Sequence, residues 1–380
     1  MEQRNIAIKL NILYLVFFGA AACYYPFLTP FFQSKGLSYS QIGILLSLNS
    51  IMAIIFQPLW GYITDKRLNK KTSLLIAMVS SGLLILNFTY AKNFYFIGFS
   101  VAMFMIFLSG IAPIMDAYCY EIIGLNKKLQ YGRIRLMGSM GYAIAALLVG
   151  VVIKNYGNNS AFVIYMVFMC LCVLIIKSID YKGKNSSVVL NLKSLGELLK
   201  YKKFIWFLIS VMILNISMGM NSSYISVLIE KTGGNISNLG FLWFVIAMSE
   251  LPAFFFGNKL LKKFGTLNLF YLSIALFSLR LFLDSIAINY YMVIAIQAMQ
   301  SITFPLYLMA TLQFINENIK QELRTSSIAI YSAVGGGLGG FIGNMSGGML
   351  LEILDVFMLY KILAIISAVA LVIALKLKKL

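Results

Sequence analysis

The chain has 380 residues, of which 60% are hydrophobic and 12% charged, and its 31 Lys and Arg against 13 Asp and Glu give a formal net charge of +18. A soluble globular domain carries roughly 45–50% apolar and about 25% charged residues, so this composition excludes one. The complete absence of histidine removes His-based metal centres, His general bases and Ser/Cys–His nucleophile pairs together.

Twelve apolar runs follow one another along the chain, at 6–32, 40–62, 72–91, 94–123, 134–154, 159–178, 203–229, 236–260, 266–285, 289–315, 323–350 and 356–376. Each is long enough to cross about 30 Å of hydrocarbon as a helix of roughly 20 residues, and too long for a barrel strand of about ten alternating residues. The first run is too long, and too aromatic near its end, for a cleaved signal peptide. The second ends at Gly61, followed by Asp65, Lys66 and Arg67; the fourth carries Asp116 three residues after Pro113; the fifth carries Arg135 and Tyr142. A polar, lysine-rich stretch at 179–202 follows the sixth and separates residues 1–178 from 203–380. The eighth run holds Glu250 and Pro252 and ends near Gly257; the ninth holds Arg280, with Asp284 near its end. The predicted fold is an all-α integral membrane protein with twelve transmembrane helices in two six-helix bundles joined by a basic linker, the layout of a transporter with a midplane site. A faint repeat agrees: Gly61, Lys66 and Arg67 have counterparts in Gly257, Lys262 and Lys263.

Charge placement sets the topology. Of the 31 basic residues, 24 fall at the termini and in the loops after even-numbered helices, five fall in the opposite loops, and Arg135 and Arg280 lie inside spans. The excess of Lys and Arg marks the cytoplasmic side, which predicts a multi-pass protein of the cell (inner) membrane with both termini and the central linker in the cytoplasm. Spread in this way, the charge does not form the single basic face that nucleic acid requires. The expected partners are the lipid bilayer, a small-molecule solute and a proton; no cofactor or metal is expected, and the expected state is a monomer. Cys23, Cys119, Cys170 and Cys172 sit in apolar runs, as small buried hydrophobes do.

An ionised side chain at bilayer depth costs about 2.5–3.5 kcal/mol on insertion scales and therefore marks a candidate site. Asp116, Arg135, Glu250 and Arg280 qualify, and each half supplies one acid and one base, so the expected pairs are Asp116 with Arg135 and Glu250 with Arg280. Glu121 and Asp284, nearer helix ends, are expected to snorkel to the interface. Pro113 and Pro252 stand beside two of the charges; proline removes a backbone donor and bends a helix where a cavity is lined. Gly335, Gly337 and Gly340 satisfy a G-x-G-x-x-G pattern, but a dinucleotide loop needs a preceding strand. Within an apolar helix the better reading is close packing through Gly336, Gly340, Gly343 and Gly347.

The run FQPLWGYITDKRLNKK at 56–71 resembles the loop between helices two and three of the major facilitator superfamily. The resemblance makes Gly61, Asp65, Lys66 and Arg67 a cytoplasmic gate, with Gly61 permitting close helix approach and Asp65 pairing with basic groups. Within the superfamily, PIMD (113–116), YGRIRLMGSMGY (131–142), MSELPAFFF (248–256) and SLRLFLDS (278–285) resemble the lactose-permease and phenylpropionate-permease branch. That likeness implies that Asp116 and Arg135 grip substrate hydroxyls, that Tyr142 stacks on a sugar ring, that Glu250 binds substrate, and that Glu250 and Arg280 serve proton coupling. Gln297, Gln300 and Thr303 stand where that branch has a charged relay on helix ten, which leaves Glu250 as the expected proton carrier. The implied function is import of a sugar or glycoside by alternating access with a proton. An aromatic-carboxylate permease and an uncoupled facilitator or solute sensor are the alternatives. The protein is not expected to be an enzyme, since no nucleophile–base pair accompanies the charges.

Overall fold

The computed structural model describes residues 2–90, 92–125, 130–181, 183, 197–198 and 200–378. Most of the expected linker at 179–202 lies outside the described residues. Among them, twelve helices are long and apolar enough to span a membrane: α1 (Asn5–Ser34), α2 (Tyr39–Lys66), α3 (Lys70–Tyr90), α4 (Phe94–Gly124), α5 (Tyr131–Tyr156), α6 (Asn159–Ser178), α7 (Lys202–Lys231), α8 (Ile236–Gly257), α9 (Thr266–Asp284), α10 (Tyr290–Asn318), α11 (Ser326–Ile353) and α12 (Val356–Lys378). Several of them start where a short polar side chain satisfies a free N–H group of the first turn. Asn69 accepts from Thr72 N at 2.9 Å before α3, Asn289 from Met292 N at 2.9 Å before α10, and Asp355 from Met358 N at 2.8 Å before α12. The helix of α4 runs unbroken through Pro113 and that of α8 through Pro252.

Packing gathers the chain into two compact units that do not follow chain order. One comprises Met1–Leu37, Ile51–Val188 and Ile236–Met248; the other comprises Ser38–Ser50, Val189–Asn235 and Ser249–Leu380. The first halves of α2 and α8 thus belong to different units from the remainder of their own helices.

The first unit is tied together by close backbone approaches. A Cβ added at Gly141 of α5 would lie 2.0 Å from Leu15 O of α1, and one at Gly240 of α8 would lie 2.5 Å from Ala146 O of α5. With no hydrophobic drive between helices in lipid, such small-residue contacts carry much of the association. Trp60, next to Gly61, sits on Gly110 and donates its indole N–H to Ile106 O at 2.6 Å, holding α2 on α4. Phe31, Phe88, Phe104, Phe162, Tyr24 and Tyr165 form a continuous aromatic core, with ring separations from 4.7 Å (Phe31–Phe162) to 6.2 Å (Phe31–Phe88). At the basic end, Lys71 Nζ donates to Ile179 O at 2.6 Å and Lys177 O at 3.2 Å, and Lys9 Nζ donates to Ser178 O. Lysine ammonium groups thereby satisfy the last carbonyls of α6, where the helix dipole also favours a cation.

The second unit repeats the backbone approaches on the corresponding helices. A Cβ at Gly343 of α11 would lie 2.4 Å from Ile216 O of α7, and one at Gly348 would lie 2.9 Å from Gly43 Cα of α2. The faint repeat seen in the loops is therefore plainer in the helix contacts: α5 on α1 and α8 in one unit, α11 on α7 and α2 in the other. The packing row on α11 differs from the expected one. Gly335, Gly339, Gly343 and Gly347 face α7, Gly340 meets Ser50 of α2, and a Cβ at Gly336 would meet nothing within 4 Å. The cause is a π-helical segment at Ala333–Gly339, whose wider turn keeps residues four apart on one face and turns Gly336 away.

Candidate functional site

In the first unit the candidate side chains Asp116 and Arg135 meet residues of α1, α4 and α5. Tyr14, wholly buried on α1, donates its hydroxyl to Asp116 Oδ1 at 2.6 Å. The Arg135 guanidinium lies 4.0 Å from the centre of the Phe18 ring, a cation–π contact with a neighbour one turn along from Tyr14. Tyr131 stands edge-on to Tyr14 at 6.3 Å, stacks on Tyr120 at 4.3 Å, and neighbours both Asp116 and Arg135. The expected ion pair is not formed: among the described residues no salt bridge joins Asp116 to Arg135. The physical reason is local, since Tyr14 occupies the carboxylate and Phe18 occupies the guanidinium. Both charged side chains are only half-buried, so acid and base remain separately available to a ligand. Tyr142 stands edge-on to Trp243 at 6.1 Å, and Tyr25 approaches the same indole at 6.1 Å. The Trp243 N–H is buried and has no hydrogen-bond partner.

In the second unit the polar residues come from α8, α9 and α10. Arg280 Nη1 donates to Gln300 Oε1 and, at 3.1 Å, to Thr303 Oγ1. Gln300 Nε2 donates in turn to Glu250 Oε1 at 2.9 Å. Here too the expected direct pair is replaced, because an amide stands between Glu250 and Arg280 and relays the contact with one acceptor and one donor. Arg280 is 1% exposed and Asp284 is 0% exposed. Asp284 does not snorkel; it accepts from Gln297 Nε2 at 2.6 Å. The glutamines are placed by an interruption of α10, which breaks between Tyr290–Gln297 and Gln300–Asn318. Glu121, the other end residue, is half-buried in an ion pair with Lys70 at 2.7 Å and accepts from the Tyr181 hydroxyl at 3.2 Å.

The loop after α2 differs from its expected mechanics. A Cβ at Gly61 would meet nothing within 4 Å, so this glycine makes no close helix approach; Trp60 makes the helix contact instead. Asp65 is half-buried, and Lys66 and Arg67 are exposed. Among the described residues, the ion pair formed at this end is the one between Lys70 and Glu121.

Sequence reasoning singled out Asp116, Arg135, Tyr142, Glu250 and Arg280, and it missed Tyr14, Phe18, Tyr131, Trp243, the pairing of Gln297 with Asp284 and the bridging role of Gln300. A signal existed for the aromatic residues, since Tyr14 and Phe18 are four apart on one helix face. None existed for the glutamines, whose partners depend on the break in α10.

Residues 7–362 match the MFS_1 like family. The chain is 27% identical to the uncharacterized transporter YwbF of Bacillus subtilis, across 97% of this chain and 92% of that protein. It is 25% identical to the maltose permease of Geobacillus stearothermophilus (97% and 93% covered) and 22% identical to the lactose permease of Klebsiella oxytoca (81% and 79% covered). Its fold matches a crystal structure of the nucleoside transporter NupG with a TM-score of 0.88 at 17% identity, covering 99% of this chain and all of that one. Twelve apolar helices, charged groups held at membrane depth and permease relatives over nearly the whole length make this a multi-pass membrane transporter rather than an enzyme. The chain belongs to the MFS_1 like family, and it is a secondary transporter of the major facilitator superfamily resembling the lactose-permease branch.

Proposed function

We propose that the protein imports a small polyhydroxylated solute, a sugar or glycoside, by alternating access, and that uptake is coupled to a proton through the Glu250–Gln300–Arg280 chain. The observation that carries this reading is the α4–α5 cluster, in which a carboxylate and a guanidinium stand half-buried, unpaired with each other, beside aromatic rings. Neighbouring sugar hydroxyls donate as well as accept, so a carboxylate takes their O–H groups while a planar guanidinium offers its N–H groups in parallel. The apolar face of the ring is left for an aromatic surface, a role that suits Tyr142 beside Trp243. By the lactose-permease likeness, Glu250 is carried as a further substrate-binding residue. The names of two relatives, a maltose and a lactose permease, support this class. A nucleoside presents the same paired hydroxyls on its ribose and belongs to the same screen. An aromatic carboxylate fits less well, because Asp116 would repel it from Arg135.

In this reading the membrane is the cell membrane, both termini are cytoplasmic, the protein works as a monomer, and Gly61, Asp65, Lys66 and Arg67 form part of the cytoplasmic gate. The test is uptake of labelled sugars, nucleosides and aromatic acids into vesicles bearing wild type or Arg135→Lys, which keeps the charge and loses the fork. Hydrogen bonds to charged groups contribute about 1.5–3 kcal/mol each, so sugar uptake at sub-saturating solute falls by about tenfold or more. Wild-type-like uptake in that variant would sink the idea. Alkalinisation of the medium on solute addition checks the coupling, and full uphill accumulation by Glu250→Gln would remove Glu250 from it.

A further inference from the structure

The buried end of the second unit holds three polar atoms without partners. Asp284 Oδ1, Gln297 Oε1 and Arg280 Nε are all enclosed and make no hydrogen bond. Asp284 and Gln297 are already joined once, through Gln297 Nε2 to Asp284 Oδ2 at 2.6 Å. Their remaining oxygens are both acceptors, and two acceptors cannot satisfy each other. A buried acceptor left unmade is costly, and a buried uncompensated carboxylate more so.

We propose that Asp284 is a proton-binding site of this transporter, occupied in the conformation described, with its carboxylic acid paired to the Gln297 amide. Protonation from solvent forms an O–H bond on Oδ1 and turns that oxygen into a donor. An acid and a primary amide then match by two antiparallel hydrogen bonds, the amide N–H to one carboxyl oxygen and the carboxyl O–H to the amide oxygen. One proton thus gives partners to two of the three orphaned atoms.

The charge balance points the same way. The charged and titratable groups facing Asp284 are Arg280, one turn earlier on α9, and Tyr360 of α12, whose hydroxyl donates to Asn221 Oδ1 of α7 at 3.0 Å. Glu250 of α8 lies behind Gln300, and Gln297, Gln300 and Thr303 of α10 are neutral. With Asp284 and Glu250 both ionised, the cluster carries two negative charges and one positive; with a proton on Asp284, the charges of Arg280 and Glu250 balance. Arg280 also spends Nη1 on Gln300 and Thr303, and among the described residues it forms no ion pair with Asp284. Loss of the proton creates a carboxylate one helical turn from the idle Arg280 Nε. Turning Arg280 toward it would release Gln300, and with it the hydrogen bond to Glu250. The purpose of the site rests on the proton-coupled reading above, while its chemistry does not.

The experiment is therefore spectroscopic and needs no solute. Infrared spectra of the purified protein in lipid nanodiscs at neutral pH are compared between wild type and Asp284→Asn. Asparagine mimics the neutral acid, donating to Gln297 as the O–H does, so the variant is expected to fold with an unchanged or raised melting temperature. The carboxylic-acid carbonyl band of wild type is expected to contain an Asp284 contribution that the variant lacks. An identical carbonyl region in the two proteins overturns the proposal. Gln297→Met is the second variant: removal of the amide partner shifts the carbonyl band to higher frequency, and an unshifted band also overturns it. Absence of medium alkalinisation during uptake would refute coupled transport while leaving both spectral outcomes to decide on Asp284.

Discussion

The two intramembrane polar clusters are built from similar charges and end in opposite states. Around Asp116 and Arg135 the groups are half-open and each is held by an aromatic residue, Tyr14 for the acid and Phe18 for the base. Around Arg280 and Asp284 the groups are sealed, and each is bonded by an amide from α10. The difference lies in what each cluster can exchange. An aromatic partner leaves most of the hydrogen-bonding capacity of a charged group unused and ready for a ligand. An amide partner consumes that capacity, and what remains can be satisfied only by something as small as a proton.

That contrast can be broken most directly by removing each base in turn. Arg280→Met leaves the Gln300 and Thr303 side-chain oxygens without their donor and removes the cation that balances the cluster's carboxylates, and breaking a buried charged network of this kind costs about 3–5 kcal/mol. Arg135→Met removes a half-exposed cation that has no ion-pair partner among the described residues and is expected to cost under about 1 kcal/mol in stability while abolishing uptake. Thermal unfolding of the two variants in the same detergent checks this, and equal losses would erase the distinction between the clusters.

The frame that seals the second cluster can be probed by its glycines. Gly343→Leu drives a side chain into Ile216 O, 2.4 Å from the position of its Cβ, and overpacking costs about 1–3 kcal/mol or more. Gly336→Ala meets open space and gains up to about 1 kcal/mol of helix propensity. Opposite signs in a melting assay are expected; matching signs would show that α11 packs through another face. A smaller effect is expected at Tyr14→Phe. It removes the hydroxyl from Asp116 and frees the carboxylate, so uptake changes by several-fold while the melting temperature falls by an amount equivalent to about 1 kcal/mol. The smallest is Lys71→Ala, which uncaps the end of α6 and costs about 0.3–1 kcal/mol, diminishing as salt is raised.

The fold was legible because bilayer thickness and loop charge act on local sequence. The expected run at 6–32 is found as Asn5–Ser34, and the one at 203–229 as Lys202–Lys231. The identities of the candidate charges were legible for the same reason, since each stands out against an apolar run. Their partners were not, because partners depend on helix rotation and on irregularities that single-sequence periodicity averages away. The π-helical segment in α11 turned the glycine row by one position, and the break in α10 turned two apparently inert glutamines into partners of charged groups. Asp284 was misread for another reason: being last in its helix says nothing about whether neighbouring helices cover that end.

Trp243 gives the protein an optical reporter of its own. Of the three tryptophans, Trp60 is fixed to the Ile106 carbonyl and Trp206 lies 4.4 Å beneath the Lys376 ammonium. Trp243 has a buried N–H without a partner and stands against Tyr142 and Tyr25. A solute that stacks on Tyr142 changes the polarity and hydrogen bonding of that indole, so its emission would shift in wavelength when the site fills. The first ligand could then be sought by intrinsic fluorescence, without labels.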